Sequence, residues 1–510
     1  MAVRGARPKP TKRSATSPQR SAPSLKAPPR SSQASPRDTR QETEERYRRL
    51  PTGAHGLDPE EVQRDQRERL RDALIELIAS RGYQAVRILD LTKLARVSRP
   101  TFYSLYADKE ELFLAAYDDI AARTAQTVLA AYDVEGSQSE RILAGMRAFG
   151  ELAAAKPDSV SLLVLGAFGA GAKALERRNR TLQALEESIR ASRDRASART
   201  GSSVSVTGKR RPRKAEGEDL TVKIILGGIR EATAARLRGG RAAELPGLAE
   251  QLTAWAASYP PKLPAGLDPT SPASRRRGKS ESPELASERA LRAEGRLPSG
   301  RHDLPRQFIV KSQRERIVDA TAAIVAAKGL AGLTIPEIAR RASVSHQTFY
   351  EMYPTKHDAF LGAQKVGLHQ ALLVTVEAYE AHKDNWPHAV AAGLRALIDY
   401  LSGEPAHAHL TLVDTFGASP EAIEIRDTAL RAFSAYLSPG YEIAPTDVDI
   451  PDIAAEAIAG GIWQVLHHYI EDDRIAELPS ATPQIVYMAL TPFLGPKQAA
   501  KTGRWIATHR

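Results

Sequence analysis

The chain of 510 residues contains no cysteine. Disulfide staples, thiolate metal sites and thiol nucleophiles are excluded, and a reducing compartment is the simplest setting. A secretory signal and any apolar run long enough to span a bilayer are also missing, so the expectation is a cytoplasmic protein with no membrane partner. The most apolar segment, Val160 to Ala170, is too short to cross a membrane and reads either as a buried core helix or as a wall of a ligand pocket. No run of alternating β-branched residues is bounded by turn signals, which leaves an all-α chain. No catalytic triad, phosphate loop or paired acid motif stands out, so no enzyme is expected. His407 with His409, and His467 with His468, lack the i, i+4 spacing and partner carboxylates of a metal site. Neither metal nor cofactor is assigned.

What the chain has in excess is positive charge and one repeated segment. Its formal net charge is +11, which favours a polyanionic partner. Residues 1–62 read as a basic tail rich in Pro, Ser and Arg. Such a tail cannot bury enough surface to offset ordering entropy, and its charges either hold DNA by counterion release or merely stay solvated. A second loop of this kind spans 197–217 with a basic cluster at Lys209 to Lys214, and residues 260–306 read as a flexible linker.

The repeat is ungapped. Gly82 to Lys109, GYQAVRILDLTKLARVSRPTFYSLYADK, aligns with Gly329 to Lys356, GLAGLTIPEIARRASVSHQTFYEMYPTK, at a shift of 247. Each copy reads as a helix-turn-helix. An amphipathic helix, Arg67 to Ser80 in the first copy, stops at Gly82. A short helix then runs to about Ala95, a tight turn follows, and Ser98 caps a second short helix. In the second copy Thr334 to Glu337 has the form of a capping box with Pro336 in the first turn. Asp108 to Glu111 and Thr355 to Asp358 repeat that cap one helix later.

Val97 to Lys109 and Val344 to Lys356 share the pattern V-S-x-x-T-F-Y-x-x-Y-x-x-K. Through it both copies resemble the amino-terminal DNA-binding unit of the TetR family of transcription regulators. The resemblance implies two tandem TetR-like units: a helix-turn-helix at 63–112 with a helical ligand-binding and dimerisation body at 113–259, then the same pair at 307–359 and 360–510. The turn position where the family often has Gly is Arg96 in one copy and Ser343 in the other, and a left-handed backbone there would cost about 1 kcal/mol.

Beyond the repeat, helices are expected at Lys109–Tyr132, Ser139–Ala155, Ser159–Ala174, Leu175–Ala196, Asp219–Leu237 and Ala242–Ser258. In the second half they are expected at Lys356–Ala381, Trp386–Ser402, Ala408–Phe416, Ser419–Leu437, Ile450–Glu471 and Thr482–Phe493. In the family the last two long helices pair with those of a second subunit. Here the resemblance implies that Asp219–Leu237 and Ala242–Ser258 face Ile450–Glu471 and Thr482–Phe493 within one chain, a covalent pseudo-dimer. Small residues Gly227, Gly228, Ala457, Ala459, Gly460 and Gly461 would permit close approach.

The implied partner is a double-stranded DNA operator read in successive major grooves. Lys109, Lys356, Tyr103, Tyr106, Tyr350, Tyr353, Arg87 and Thr334 are the candidate phosphate contacts. Arg99, Pro100 and Thr101 in one copy, and His346, Gln347 and Thr348 in the other, are the candidate base readers. Because they differ, the operator is expected to be asymmetric. Phe102 and Phe349 are expected in the core. On the ligand side Phe168, Trp386, Phe416, Trp463 and His467 could line an aromatic pocket for a small apolar effector, or simply pack. The expected function is a sequence-specific regulator, a repressor relieved by that effector. The competing readings are a nonspecific DNA-compacting protein and a regulator in which the second helix-turn-helix alone reads DNA.

Overall fold

A computed structural model describes residues 58–133, 137–199, 216–260, 263–267, 306–445 and 449–509. Among them every regular element is helical. The expectations for the tail up to residue 57, the Lys209–Lys214 cluster and most of the 260–306 linker concern residues outside those described.

The first head consists of α1 (Pro59–Arg81), α2 (Ile88–Leu94) and α3 (Arg99–Leu105). The first of these starts earlier than expected, before both Arg67 and the tail boundary at residue 62. Asp58 caps it by accepting from the Glu60 N–H at 3.0 Å, and Pro59 with two glutamates supplies a first turn suited to the helix dipole. Leu70, Ala73 and Leu74 of α1 are fully buried with Leu91 and Phe102.

The body that follows comprises α4 (Lys109–Tyr132), α5 (Gln138–Ala155), α6 (Pro157–Ser161), α7 (Ala167–Gly169), α8 (Ala172–Arg199), α9 (Glu216–Arg238) and α10 (Ala249–Ala257). Two expected helices are broken. Ser159–Ala174 is interrupted by a π-helical turn at Leu162–Gly166 and by Gly171 at φ 103°. Ala242–Ser258 opens with two 3-10 turns because Pro246 has no N–H to donate, and only α10 is regular.

The second half repeats the plan. Its head is α11 (Arg306–Lys328), α12 (Ile335–Ala342) and α13 (His346–Met352). Its body is α14 (Lys356–Glu380), α15 (Trp386–Gly403), α16 (Pro405–Leu412), α17 (Thr415–Ala418), α18 (Pro420–Ala435), α19 (Gly440–Ile443), α20 (Ala454–Glu471) and α21 (Leu478–Thr508). The last helix runs well past Phe493, where it was expected to end. Gly495 at φ 71° kinks it before Pro496, and the chain then resumes helical turns.

The halves meet where α9 crosses α20, with α10 and α21 packed alongside. A Cβ on Gly228 would lie 2.4 Å from the Ala457 carbonyl oxygen, and one on Gly461 would lie 2.5 Å from the Ile224 carbonyl oxygen. These helices touch backbone to backbone. Beside this contact Arg426, 1% exposed, grips Glu231 of the other half through two bonds of 2.6 Å. Arg238 adds bonds from Nη2 to Glu231 at 2.7 Å and to Asp427 at 3.2 Å.

Two outcomes follow from this seam. Gly228→Val is expected to lower stability by about 1–3 kcal/mol or more through overpacking. Gly247→Ala, where a Cβ meets nothing within 4 Å, should be nearly silent; chemical denaturation of both variants is the check. Burial alone would raise the Glu231 carboxyl, but Arg426 and Arg238 outweigh it and hold the group down at about 2. A folded value below the unfolded one gives stability that is complete above roughly pH 4.5 and lost as pH falls toward about 2. Glu231→Gln should flatten that acid limb in a pH series of unfolding curves. It should also cost about 3–5 kcal/mol at neutral pH by removing the forked partner of buried Arg426 and leaving it Asp427 alone.

Candidate nucleic-acid interface

The turn of each helix-turn-helix is left-handed, at φ 52° on Arg96 and φ 51° on Ser343, although neither is glycine. Bonds from Val97 N to Thr92 O and from Val344 N to Ala339 O, both 3.0 Å, close the preceding helix. An arginine from the first helix of each head supports the strained turn. Arg69 Nη1 donates to Ala95 O at 2.8 Å, and Arg316 Nη1 donates to Ala342 O at 3.0 Å. These two residues are 247 apart, so the clamp is duplicated with the rest of the unit. Sequence reasoning missed it, although the same shift extends the alignment back to Arg67 and Arg314 and so pairs the two arginines.

The second short helix begins alike in both heads. Ser98 Oγ accepts from Thr101 N at 3.1 Å, and Ser345 Oγ accepts from Thr348 N at 3.0 Å. Phe102 and Phe349 are fully buried and fix the helix to its head. Arg99, Pro100, His346 and Gln347 are exposed, and Thr101 and Thr348 are partly so, each with its hydroxyl on the capping serine. Gln347 Nε2 is held at 3.2 Å by Glu351, whereas the matching Ser104 turns its hydroxyl back to Thr101 O at 2.8 Å. The same scaffold therefore presents different donors and acceptors in its two copies.

The candidate phosphate contacts divide. Tyr103 and Tyr350 are 51% and 56% exposed. Tyr106 is buried and Tyr353 partly buried, and burial pushes both phenols up. Lys109, partly buried, and Lys356, otherwise exposed, each turn Nζ inward onto backbone carbonyls. Lys109 Nζ donates to Tyr83 O at 2.9 Å and to Val86 O at 2.8 Å and sits 4.0 Å above the Tyr83 ring; Lys356 Nζ donates to Leu333 O at 2.8 Å. In each head the lysine ties the start of the next long helix to the segment before the second helix, where carbonyls lack helical partners. Arg87 is exposed and paired with Asp90 at 3.2 Å. Thr334 is exposed but makes no capping bond, so the expected Thr334–Glu337 box does not form. Glu337 is drawn instead to Arg340 at 2.8 Å and Lys328 at 3.2 Å. The box at Thr355 does form, whereas at Asp108 the side chain caps Glu111 N but Glu111 reaches back to the Ala107 N–H instead of closing a box.

Away from the heads, the second body holds an apolar cavity of about 80 Å³ bounded by Leu368, Tyr379, Leu394, Phe433, Tyr436 and Trp463, among others. Of the five expected pocket residues Trp463 alone lines it. Trp386 is locked in the core, donating from Nε1 to Tyr436 O at 3.1 Å and packing edge-on against Phe493. Phe168 stacks on Phe416 at 4.2 Å, joining the two halves. His467 is buried among Arg178, Arg230 and Arg426. The Val160–Ala170 stretch contributes no wall of this cavity; Val160, Leu162, Ala167 and Ala170 are buried.

The inward lysines give a test that separates anchoring from phosphate contact. Lys109→Met is expected to destabilise the first head by about 1–3 kcal/mol through loss of its carbonyl bonds. The slope of log affinity against log salt should stay unchanged, where loss of a phosphate contact would lower it by about 1. Thermal unfolding and binding titrations across salt concentrations measure the two effects.

Comparison with known proteins agrees with the duplicated geometry. Residues 70–116 and 317–362 each match the family described as bacterial regulatory proteins, tetR family. No curated protein matches the chain. Among solved structures, a bacterial regulatory protein in the tetR family from Rhodococcus RHA1 is 22% identical, over 36% of this chain and 97% of that one, with a TM-score of 0.29. Among the described residues no single helix is long and apolar enough to cross a membrane. With two matched segments falling on two heads that share caps, clamps and buried aromatics, the chain carries two tandem DNA-binding units of the tetR family of bacterial regulatory proteins.

Proposed function

We propose that this DNA-binding regulator is a repressor that acts as a covalent pseudo-dimer on an asymmetric operator and is released by a small apolar effector. The observation that carries this reading is the difference between the exposed helix starts, Arg99 and Pro100 against His346 and Gln347, on otherwise matching scaffolds. Arg forks onto guanine and Gln onto adenine, so two unlike half-sites are favoured. Tyr103, Tyr350 and Arg87 serve the phosphates, and the inward lysines hold the heads that present them.

The cavity supports the effector half of the proposal. Its walls are apolar, and at about 80 Å³ it is smaller than the roughly 150 Å³ that accepts benzene in an engineered core. An effector of ordinary size must push the walls apart. One of those walls is Trp463 on α20, the helix that carries the contact with the first half. Occupancy would thereby be felt at the seam and, through the bodies, by the spacing of the heads.

Selection of bound sequences from a random DNA pool with the full chain tests the operator. Two unlike half-sites at one fixed spacing are expected. Arg99→Ala should relax one half-site and Gln347→Ala the other, each by about 1–3 kcal/mol. A palindrome would overturn the pseudo-dimer reading in favour of one active head, and no enrichment would indicate nonspecific binding.

A further inference from the structure

The seam holds more positive charge than its own carboxylates neutralise. Glu231 and Asp427 are engaged by Arg426 and Arg238. Arg178, 3% exposed, donates to a neutral amide, Asn179 Oδ1 at 2.9 Å, and feels Glu471 only through space, while its Nη2 is buried with no hydrogen-bond partner. Arg230, partly buried one residue before Glu231, has no hydrogen-bond or ion-pair partner among the described residues. Glu471, the remaining acid nearby, accepts from Asn179 Nδ2 at 3.1 Å and lies 3.4 Å from His467 Nδ1, which makes no hydrogen bond.

Aromatic rings fix where these cations sit. Arg178 lies over Phe168 at 4.5 Å, Phe168 stacks on Phe416, and Arg426 lies over Phe416 at 5.1 Å and over Trp463 at 4.7 Å. The two guanidinium groups thus flank a stacked aromatic pair contributed by both halves. Arg230 and His467 feel both cations. The Arg230 guanidinium is pushed well down by burial and then by Arg178 and Arg426, against the opposing pull of Glu231 and Glu471, and His467 is pushed well down by burial and then by Arg178, Arg230 and Arg426. A neutral His467 adds no charge. Four arginines, Arg178, Arg230, Arg238 and Arg426, stand against three carboxylates, Glu231, Asp427 and Glu471.

We infer that the seam between the two halves is a binding site for one small anion, a carboxylate or phosphate group held by Arg178 and Arg230 beside the Phe168–Phe416 stack. Guanidinium groups bind both anions by charge-assisted forked hydrogen bonds, and a buried cation without a partner is strained until one arrives. The site is separate from the apolar cavity and does not depend on the effector reading. Because α8 and α9 supply the arginines while α17, α18 and α20 close the site, the anion would bridge the two halves.

Calorimetry and thermal unfolding of the full chain with sodium benzoate and with inorganic phosphate, each against sodium chloride at equal ionic strength, are the test. The expected result is saturable one-to-one binding of at least one probe with a matching rise in unfolding temperature. The probe that binds distinguishes a carboxylate ligand from a phosphate. Arg230→Met and Arg178→Met should each weaken that binding by roughly tenfold or more. Without anion, Arg230→Met should be at least as stable as the parent chain, since it removes an unpaired charge. Absence of saturable binding by both probes would overturn the inference, as would equal responses in the variants. Unfolding of Arg230→Met without anion would overturn it too, because Arg230 would then already be satisfied.

Discussion

The two halves are joined where α9 and α20 come together, with the facing backbone against Gly228 and Gly461 and the Gln464 and Glu231 side chains seated on Gly227 and Gly460. Gly227, Gly228, Gly460 and Gly461 leave no room for a Cβ on either helix, so the backbones set the separation and the neighbouring side chains set everything else. That close approach brings Glu231 of one half within reach of Arg426 of the other. It also makes the seam stiff. Close-packed interiors shift between discrete arrangements rather than deforming smoothly, and a helix touching another backbone to backbone has few arrangements to choose from. Trp463 shows how the parts connect, since it bounds the cavity and also lies under the Arg426 guanidinium.

The heads depend on a different economy. Each carries a left-handed turn at a non-glycine residue, a local cost of about 1 kcal/mol. Tertiary bonds offset it: an arginine from the first helix and a lysine from the fourth each reach back to carbonyls around the second helix. The second short helix of each head is thus positioned by bonds within the head itself. This separation of support from readout lets the exposed residues differ between copies while the frame stays constant.

Local rules were enough to read the heads from the sequence. Ser98 and Ser345 cap, Gly82 and Gly329 stop a helix, and Phe102 and Phe349 fill the core, because spacing over a few residues decides each of these. The small residues of α9 and α20 likewise pointed to close packing. What escaped was set by distant partners. Thr334 has the right neighbours for a capping box, yet Glu337 is won by Arg340 and Lys328. Lys109 has the position of a phosphate ligand, yet the Tyr83 and Val86 carbonyls lie closer to hand. Weighing aromatic residues by type did not reveal the lining of the apolar cavity. Leucines and tyrosines from five helices built the cavity, while Trp386, Phe168 and Phe416 went into packing.

Both sides of the α9–α20 contact belong to one polypeptide. Two separate subunits would come apart on dilution, and their stability would vary with protomer concentration. Here the second half is always present at the effective concentration fixed by the connecting chain. Closure of the seam would then not depend on how many copies a cell holds, and a foreign subunit would have to exceed that effective concentration to compete for it.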